Sequence, residues 1–203
     1  LSPVATAVAA GTIAGGAVLF AATAGQARRR EVSASEQQVF QTLNALPDGL
    51  RHPTWAVMQA GSLGAVPVVA GLAVGAGRHR TAVGLAVAGT VAWGLPKLVK
   101  RGIKRGRPGA HLDDVTVRGQ AQRGLGFPSG HAAVSTSIAV VAGPVLPLPA
   151  RLAAGAVAAE TAAARMYVGA HLPLDIAGGV GLGLVIGGLT DLVLGSRRHE
   201  RRH

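Results

Sequence analysis

The chain has 203 residues, room for one domain, and is 49 % hydrophobic but only 3 % aromatic, with 30 glycines. Soluble cores fill space with larger side chains than these, whereas small residues suit membrane helices whose backbones approach closely. A net charge of +11 calls for an anionic partner; with so many apolar runs and no nucleic-acid signature, a membrane surface or anionic substrate fits better than DNA or RNA, and the absence of cysteine excludes disulfides and thiolate metal sites.

The first apolar run covers residues 3–24 and closes on Arg28, Arg29 and Arg30. From Val4 to Ala24 it carries no charge, which matches the roughly 20 residues a span needs. A secretory signal peptide is the competing reading, but it would have a basic start and a shorter apolar stretch. The chain opens at Leu1 rather than methionine, as a processed or trimmed chain would. Residues 31–52 are polar, with Val39, Leu43 and Leu46 at helical spacing. That pattern predicts an amphipathic helix at the membrane interface, or a linker helix.

Further spans are expected at residues 53–75, 81–99, 130–149, 151–168 and 173–194, making six with both ends on one side. The fold class expected is therefore all-α: a six-transmembrane-helix bundle with an interfacial amphipathic helix after the first span. Residues 1–203 read as a single domain: first span and flank 1–30, interfacial helix 31–52, helix bundle 53–195, basic tail 196–203. Pro144, Pro147 and Pro149 gather at one turn between spans, where a missing N–H costs least. Gly179, Gly183 and Gly187 recur once per turn in the last span and predict a close-packing stripe. A dinucleotide-binding glycine loop fails on spacing and on the lack of a preceding strand. The one long connection, residues 100–127, is rich in arginine, lysine and glycine, and loops of that length are commonly functional.

Three clusters at span ends carry the chemistry. Lys100 is followed after six residues by Arg107-Pro108; next comes Pro128-Ser129-Gly130-His131; then Arg165, five residues, His171, three residues and Asp175. Lys100, Arg107 and Arg165 supply cations, two of them guanidinium forks that match phosphate oxygens. Ser129 and Gly130 stand where a helix begins, so their N–H groups are expected to face an anion at the positive end of the dipole. His171 and Asp175, four apart, share one helix face. Asp175 can then accept the Nδ1–H of His171 and leave Nε2 free to attack, while His131 can protonate a departing alkoxide. Taken alone, His171 and Asp175 also fit a helix-capping pair, and His131 an interfacial histidine. Jointly, ionisable groups at membrane edges are expensive without a task.

These clusters resemble the signature of the type 2 phosphatidic acid phosphatase superfamily, which includes lipid phosphate phosphatases, bacterial acid phosphatases and vanadium haloperoxidases. The pattern is lysine-x6-arginine-proline, proline-serine-glycine-histidine, and serine-arginine-x5-histidine-x3-aspartate. The single departure is Ala164 in place of the serine before Arg165. The resemblance implies that Lys100, Arg107, Ser129, Gly130 and Arg165 bind the substrate phosphate. It implies further that His171 is the nucleophile forming a phosphohistidine, His131 the general acid, and Asp175 the orienting partner. No metal and no cofactor are implied.

The expected activity is hydrolysis of a phosphomonoester or diphosphate on a lipid: phosphatidic acid, phosphatidylglycerol phosphate, or a polyprenyl phosphate or diphosphate. Resemblance to compact bacterial members favours the polyprenyl carrier. A phosphotransferase using the same phosphohistidine and a non-catalytic lipid-binding membrane protein are the alternatives. A transporter would place charges at midspan, where only Glu160 falls; it is expected to need a buried structural partner. Arg101, Lys104 and Arg105 read as a solvated basic run beside the membrane, and Arg118 and Arg123 are open between a second phosphate and a headgroup. The expected location is a cell membrane, multi-pass, in contact with membrane lipids. Counting lysine and arginine alone would put the clusters in the cytoplasm, but the resemblance implies an extracytoplasmic site.

Overall fold

The computed structural model describes residues 2–196, and over these it is all-helical, with no strand. The expected basic tail lies outside the described residues beyond Ser196. Helix α1 (Pro3–Ala27) starts where Ser2 accepts a hydrogen bond from the Ala5 N–H and Pro3 takes the first helical position. Helix α2 (Ala34–Asn44) is capped by Ser33. Its inward face is Glu36, Phe40 and Asn44, with Leu43 half-buried beside them, whereas Val39 and Leu46 are exposed. The expected stripe is thus displaced by about a residue, because two polar side chains occupy the buried face.

The apolar run expected at residues 53–75 is not one rod. It divides into α3 (Arg51–Met58), a 3-10 turn, and α4 (Ala65–Gly75), with a 68° bend between its two parts. The break falls at Gly61-Ser62-Leu63-Gly64, where two glycines weaken the helix. Helix α5 (His79–Ile103) ends because Lys104 turns left-handed at φ 56°. Helices α6 (Gly130–Ala142), α7 (Leu148–Tyr167) and α8 (Pro173–Ser196) complete the set.

Helix α8 is central, packed against α1, α5 and α6. The glycine stripe does what its spacing predicts. A methyl group on Gly183 would stand 2.6 Å from the Ala133 carbonyl, and one on Gly187 2.7 Å from Val140 Cβ, so α6 meets α8 backbone to backbone. A second glycine face, unforeseen, meets α1: a methyl on Gly181 would lie 2.7 Å from the Phe20 nitrogen, and one on Gly16 2.7 Å from Leu184 Cβ. Val66, Leu85, Ala88, Val134, Leu182 and Ile186 form the main core between α4, α5, α6 and α8.

Among the described residues three helical segments, Pro3–Ala27, His79–Ala110 and Pro173–Leu194, are long and apolar enough to cross a membrane, and a fourth if the bent pair counts as one. Segment Gly130–Val145 is shorter, and α7, though 20 residues long, carries Arg151, Glu160 and Arg165. Glu160 itself is exposed, contrary to its expected burial, because it sits on the outer face of α7 in a cleft with Leu43, Leu46 and Val57.

Candidate active site

The three clusters arrive from the ends of different helices. Lys100 lies in the last turn of α5, and Arg107 on the irregular segment after it. Ser129 is the N-cap of α6, His131 stands in its first turn, and Arg165 in the last turn of α7. His171 sits in the short link to α8, and Asp175 in the first turn of α8. The link can reverse so tightly because Gly169 takes φ +74°, and a methyl there would stand 2.6 Å from the Thr116 carbonyl.

His171 is 2 % exposed and Asp175 fully buried. His171 Nδ1 lies 3.3 Å from Asp175 Oδ2, which also accepts the Leu172 N–H at 3.0 Å. Nδ1 therefore carries the proton that faces the carboxylate, and Nε2 is the free nitrogen. Burial, then the cations Lys100, Arg165 and Arg107 and the neighbouring His131, hold the His171 ring well below its ordinary value of 6.5. Arg107 donates to the adjacent Ala170 carbonyl, and the His171 N–H donates to the Arg165 carbonyl at 3.2 Å, so both arginines border this link.

Among the described residues, none of the three phosphate-type cations has a carboxylate of its own. Lys100 Nζ donates to the carbonyls of Leu125 at 2.9 Å and Gly126 at 2.7 Å. Arg107 Nη1 donates to the Ala170 carbonyl at 2.7 Å, and Arg165 Nη1 contacts Met58 Sδ at 3.0 Å. The Nε–H groups of Arg107 and Arg165 are buried without a partner. Both arginines line a cavity of about 530 Å³ whose walls include Arg51, Trp55 and Met58 of α3, the segment Val117–Gln122 and the turn Val168–Ala170. Among the described residues, no group of three or more histidines or acids is arranged to hold a metal ion.

Three expectations change. The Ser129 N–H is not free for an anion: it donates to the Asp175 carbonyl at 2.8 Å, so the loop before α6 is tied to α8. The Ser129 hydroxyl faces the Ala132 N–H at 3.5 Å, and the Gly130 amide is left at the helix start. Arg118 is committed elsewhere, to Asp48 at 2.7 Å and to the carbonyls of Asn44, Leu46 and Tyr167, with its guanidinium 4.2 Å over the Tyr167 ring. Arg123 is exposed. Arg105, grouped above with the solvated run, is 0 % exposed and paired with Glu36 and Asp175, while Arg101 and Lys104 before it are exposed.

Glu36 is a site residue that sequence reasoning does not single out. Ser33 and Glu36 have the spacing of a capping box, and the Glu36 N–H does donate to Ser33 Oγ at 3.2 Å. The Glu36 carboxylate, however, turns inward to Arg105 rather than back to the Ser33 amide.

Known proteins resemble the chain in sequence and in fold. The family model of the PAP2 superfamily matches residues 80–198. Decaprenylphosphoryl-5-phosphoribose phosphatase of Mycobacterium tuberculosis, from strains CDC 1551 / Oshkosh and ATCC 25618 / H37Rv alike, is 37 % identical over 114 residues, 55 % of this chain. The match spans 60 % of the length of those relatives. The crystal structure of Aquifex aeolicus LpxE superposes with a TM-score of 0.71 at 23 % identity, covering 79 % of this chain and 96 % of that one. A transmembrane PAP2 type phosphatidylglycerolphosphate phosphatase from Bacillus subtilis also gives 0.71, at 21 % identity over 90 % of this chain and 96 % of its own. At these identities the two structures speak to the fold.

Proposed function

The chain belongs to the PAP2 superfamily, and from that premise we propose that it is an integral membrane phosphatase of a lipid phosphate. One observation carries the proposal. Lys100, Arg107 and Arg165 gather around a neutral, oriented His171 without an ion pair among the described residues, and two of their buried Nε–H donors are unused. Unpaired cations that are buried, as Arg165 is, or half-buried, as Lys100 and Arg107 are, carry a desolvation cost, and a phosphate with its oxygens in that cradle offsets it.

The steps follow from the atoms. Nε2 of His171 attacks phosphorus, and the bond from phosphorus to the lipid oxygen breaks. His131, protonated once the anionic phosphate lies beside it, gives its proton to the leaving oxygen, so a lipid alcohol departs (a lipid monophosphate if the substrate is a diphosphate). His171 keeps its Nδ1–H on Asp175 throughout. Water then gives a proton to His131 and its oxygen attacks phosphorus, releasing inorganic phosphate and neutral His171. Lys100, Arg107, Arg165 and the Gly130 amide hold the equatorial oxygens, where charge gathers in the transition state. Ser129 contributes its hydroxyl and the position of the helix start.

A polyprenyl-linked phosphate is the substrate we favour, supported by the similarity to a phosphatase named for a decaprenylphosphoryl sugar phosphate. The cavity fits a polar headgroup, with Arg51, Gln120 and Gln122 beside the phosphate arginines and Trp55 at its edge. We also propose that residues 1–203 act as one domain with six crossings: α1, the α3–α4 pair, α5, α6, α7 and α8, with α2 at the interface. The site would face the extracytoplasmic side of the cell membrane.

Phosphate release by purified wild type and His171→Ala, with EDTA present, over a panel of polyprenyl phosphates and diphosphates, phosphatidic acid and phosphatidylglycerol phosphate tests this reading. Release by the wild type and its loss in the variant are expected, with the polyprenyl members fastest. Release that persists in folded His171→Ala, or that EDTA abolishes, overturns the mechanism.

A further inference from the structure

Four side chains form a buried line behind the reacting nitrogen. Arg105 Nη2 meets Glu36 Oε2 at 2.7 Å and Nη1 meets Glu36 Oε1 at 2.9 Å, a two-pronged pairing. Arg105 Nη1 also lies 3.3 Å from Asp175 Oδ1, and Nη2 donates to the Glu31 carbonyl at 3.3 Å. Asp175 thus divides its oxygens, Oδ1 to Arg105 and Oδ2 to His171 and the Leu172 N–H. Glu36 Oε1 separately accepts the Leu174 N–H at 3.0 Å, within the turn that presents Asp175. Glu36, Arg105 and Asp175 are 6 %, 0 % and 0 % exposed.

We propose that Glu36 and Arg105 are positioning residues for the nucleophile, setting the plane and the charge of Asp175 and through it the tautomer and tilt of the His171 ring. This rests on the reading of His171 as nucleophile. The two negative and one positive charges of the trio leave a net single negative charge facing His171. Glu36 is what keeps it there: it occupies both prongs of Arg105, which would otherwise draw Asp175 into a full pair and away from the imidazole. The helix that reads as an interfacial amphipathic element therefore carries part of the catalytic apparatus.

The test uses Glu36→Gln and Arg105→Lys in the full-length protein, with folding checked by circular dichroism and gel filtration in detergent. Glu36→Gln keeps the shape but frees Arg105, and Arg105→Lys keeps the charge but loses the two prongs. Turnover and the His171 nitrogen shifts in histidine-labelled protein are the readouts, because a role in stability alone would leave both unchanged in folded material. A drop in kcat of about 10²-fold is expected, the size produced by displacing a reacting group by about 1 Å. KM should change less than about twofold, since the phosphate cations are untouched. His171 should lose its uniform Nδ1–H form.

Wild-type kcat together with an unchanged His171 spectrum in either folded variant overturns the proposal. Should Glu36→Gln not fold, Arg105→Lys decides. Should the wild type itself release no phosphate, the catalytic reading fails, and the nitrogen shifts alone decide whether Glu36 and Arg105 set the ring.

Discussion

His171 is held neutral by burial and by surrounding positive charge, which fixes the sign of two pH effects. Protonation of the free nucleophile gives the acid limb of kcat/KM, so that limb is expected below pH 6.5, the ordinary value. A rate profile whose acid limb is centred at or above 6.5 would assign it to another group. The second effect is on stability. Below 6.5 the unfolded chain takes up a proton on this histidine that the folded chain refuses, so stability falls as pH falls through that range. Thermal denaturation between pH 7 and 5 (the rough span of histidine titration) should show a shallower decline in His171→Gln than in wild type. The residues of the signature were legible because type and spacing together are specific. Arg105 was not legible: Arg101, Lys104 and Arg105 are all basic, and the left-handed turn at Lys104 separates buried Arg105 from its two exposed predecessors. Glu36 was hidden by a local motif that accounts for it without the tertiary partner.

Among the elements, the two glycine faces of α8 make the sharpest prediction. Gly183→Ala forces a methyl against the Ala133 carbonyl and Gly181→Ala against the Phe20 backbone, contacts with no flexible atom to yield. Each should destabilise by about 1–3 kcal/mol, the range of overpacking, read as a lower Tm in detergent. Gly71→Ala in α4, with nothing within 4 Å, should leave Tm unchanged or raise it. Asn44 closes the other end of α2: its amide donates to the carbonyls of Thr116, Met166 and Tyr167 and its oxygen accepts the Thr116 N–H. Asn44→Ala would strand buried backbone groups at about 1–3 kcal/mol apiece, and reduced Tm with intact helicity is the expected result. The stripe on α8 was visible in sequence because glycine weakens a helix, and its return once per turn is useful only where another backbone comes close. The α2 face and the α3–α4 bend were not, since hydrophobicity counts neither polar residues buried with a partner nor a four-residue break inside an apolar run.

At the scale of the molecule, orientation is testable because the chain has no cysteine. Gln120 is exposed at the cavity, and Ala76 is exposed before α5, whose 25 residues reach about 37 Å at the helical rise to bring Lys100 to the site. With an impermeant maleimide on intact cells, Gln120→Cys should be labelled and Ala76→Cys protected; the reverse pattern would put the site on the cytoplasmic side. The fold class followed from composition, whereas the number of crossings did not, because α7 combines the length of a span with three charges. The bend after Gly61 has one more consequence. It leaves α3 as a short, separate piece at the cavity's edge, with Trp55 59 % exposed beside Arg51. If the proposed membrane placement holds, an opening edged by a tryptophan and an arginine belongs at headgroup level, and a lipid would slide in sideways with its tail still among its neighbours. Turnover would then be governed by crowding in two dimensions: thinning the substrate with inert lipid should slow the enzyme even when the amount in the tube is held constant.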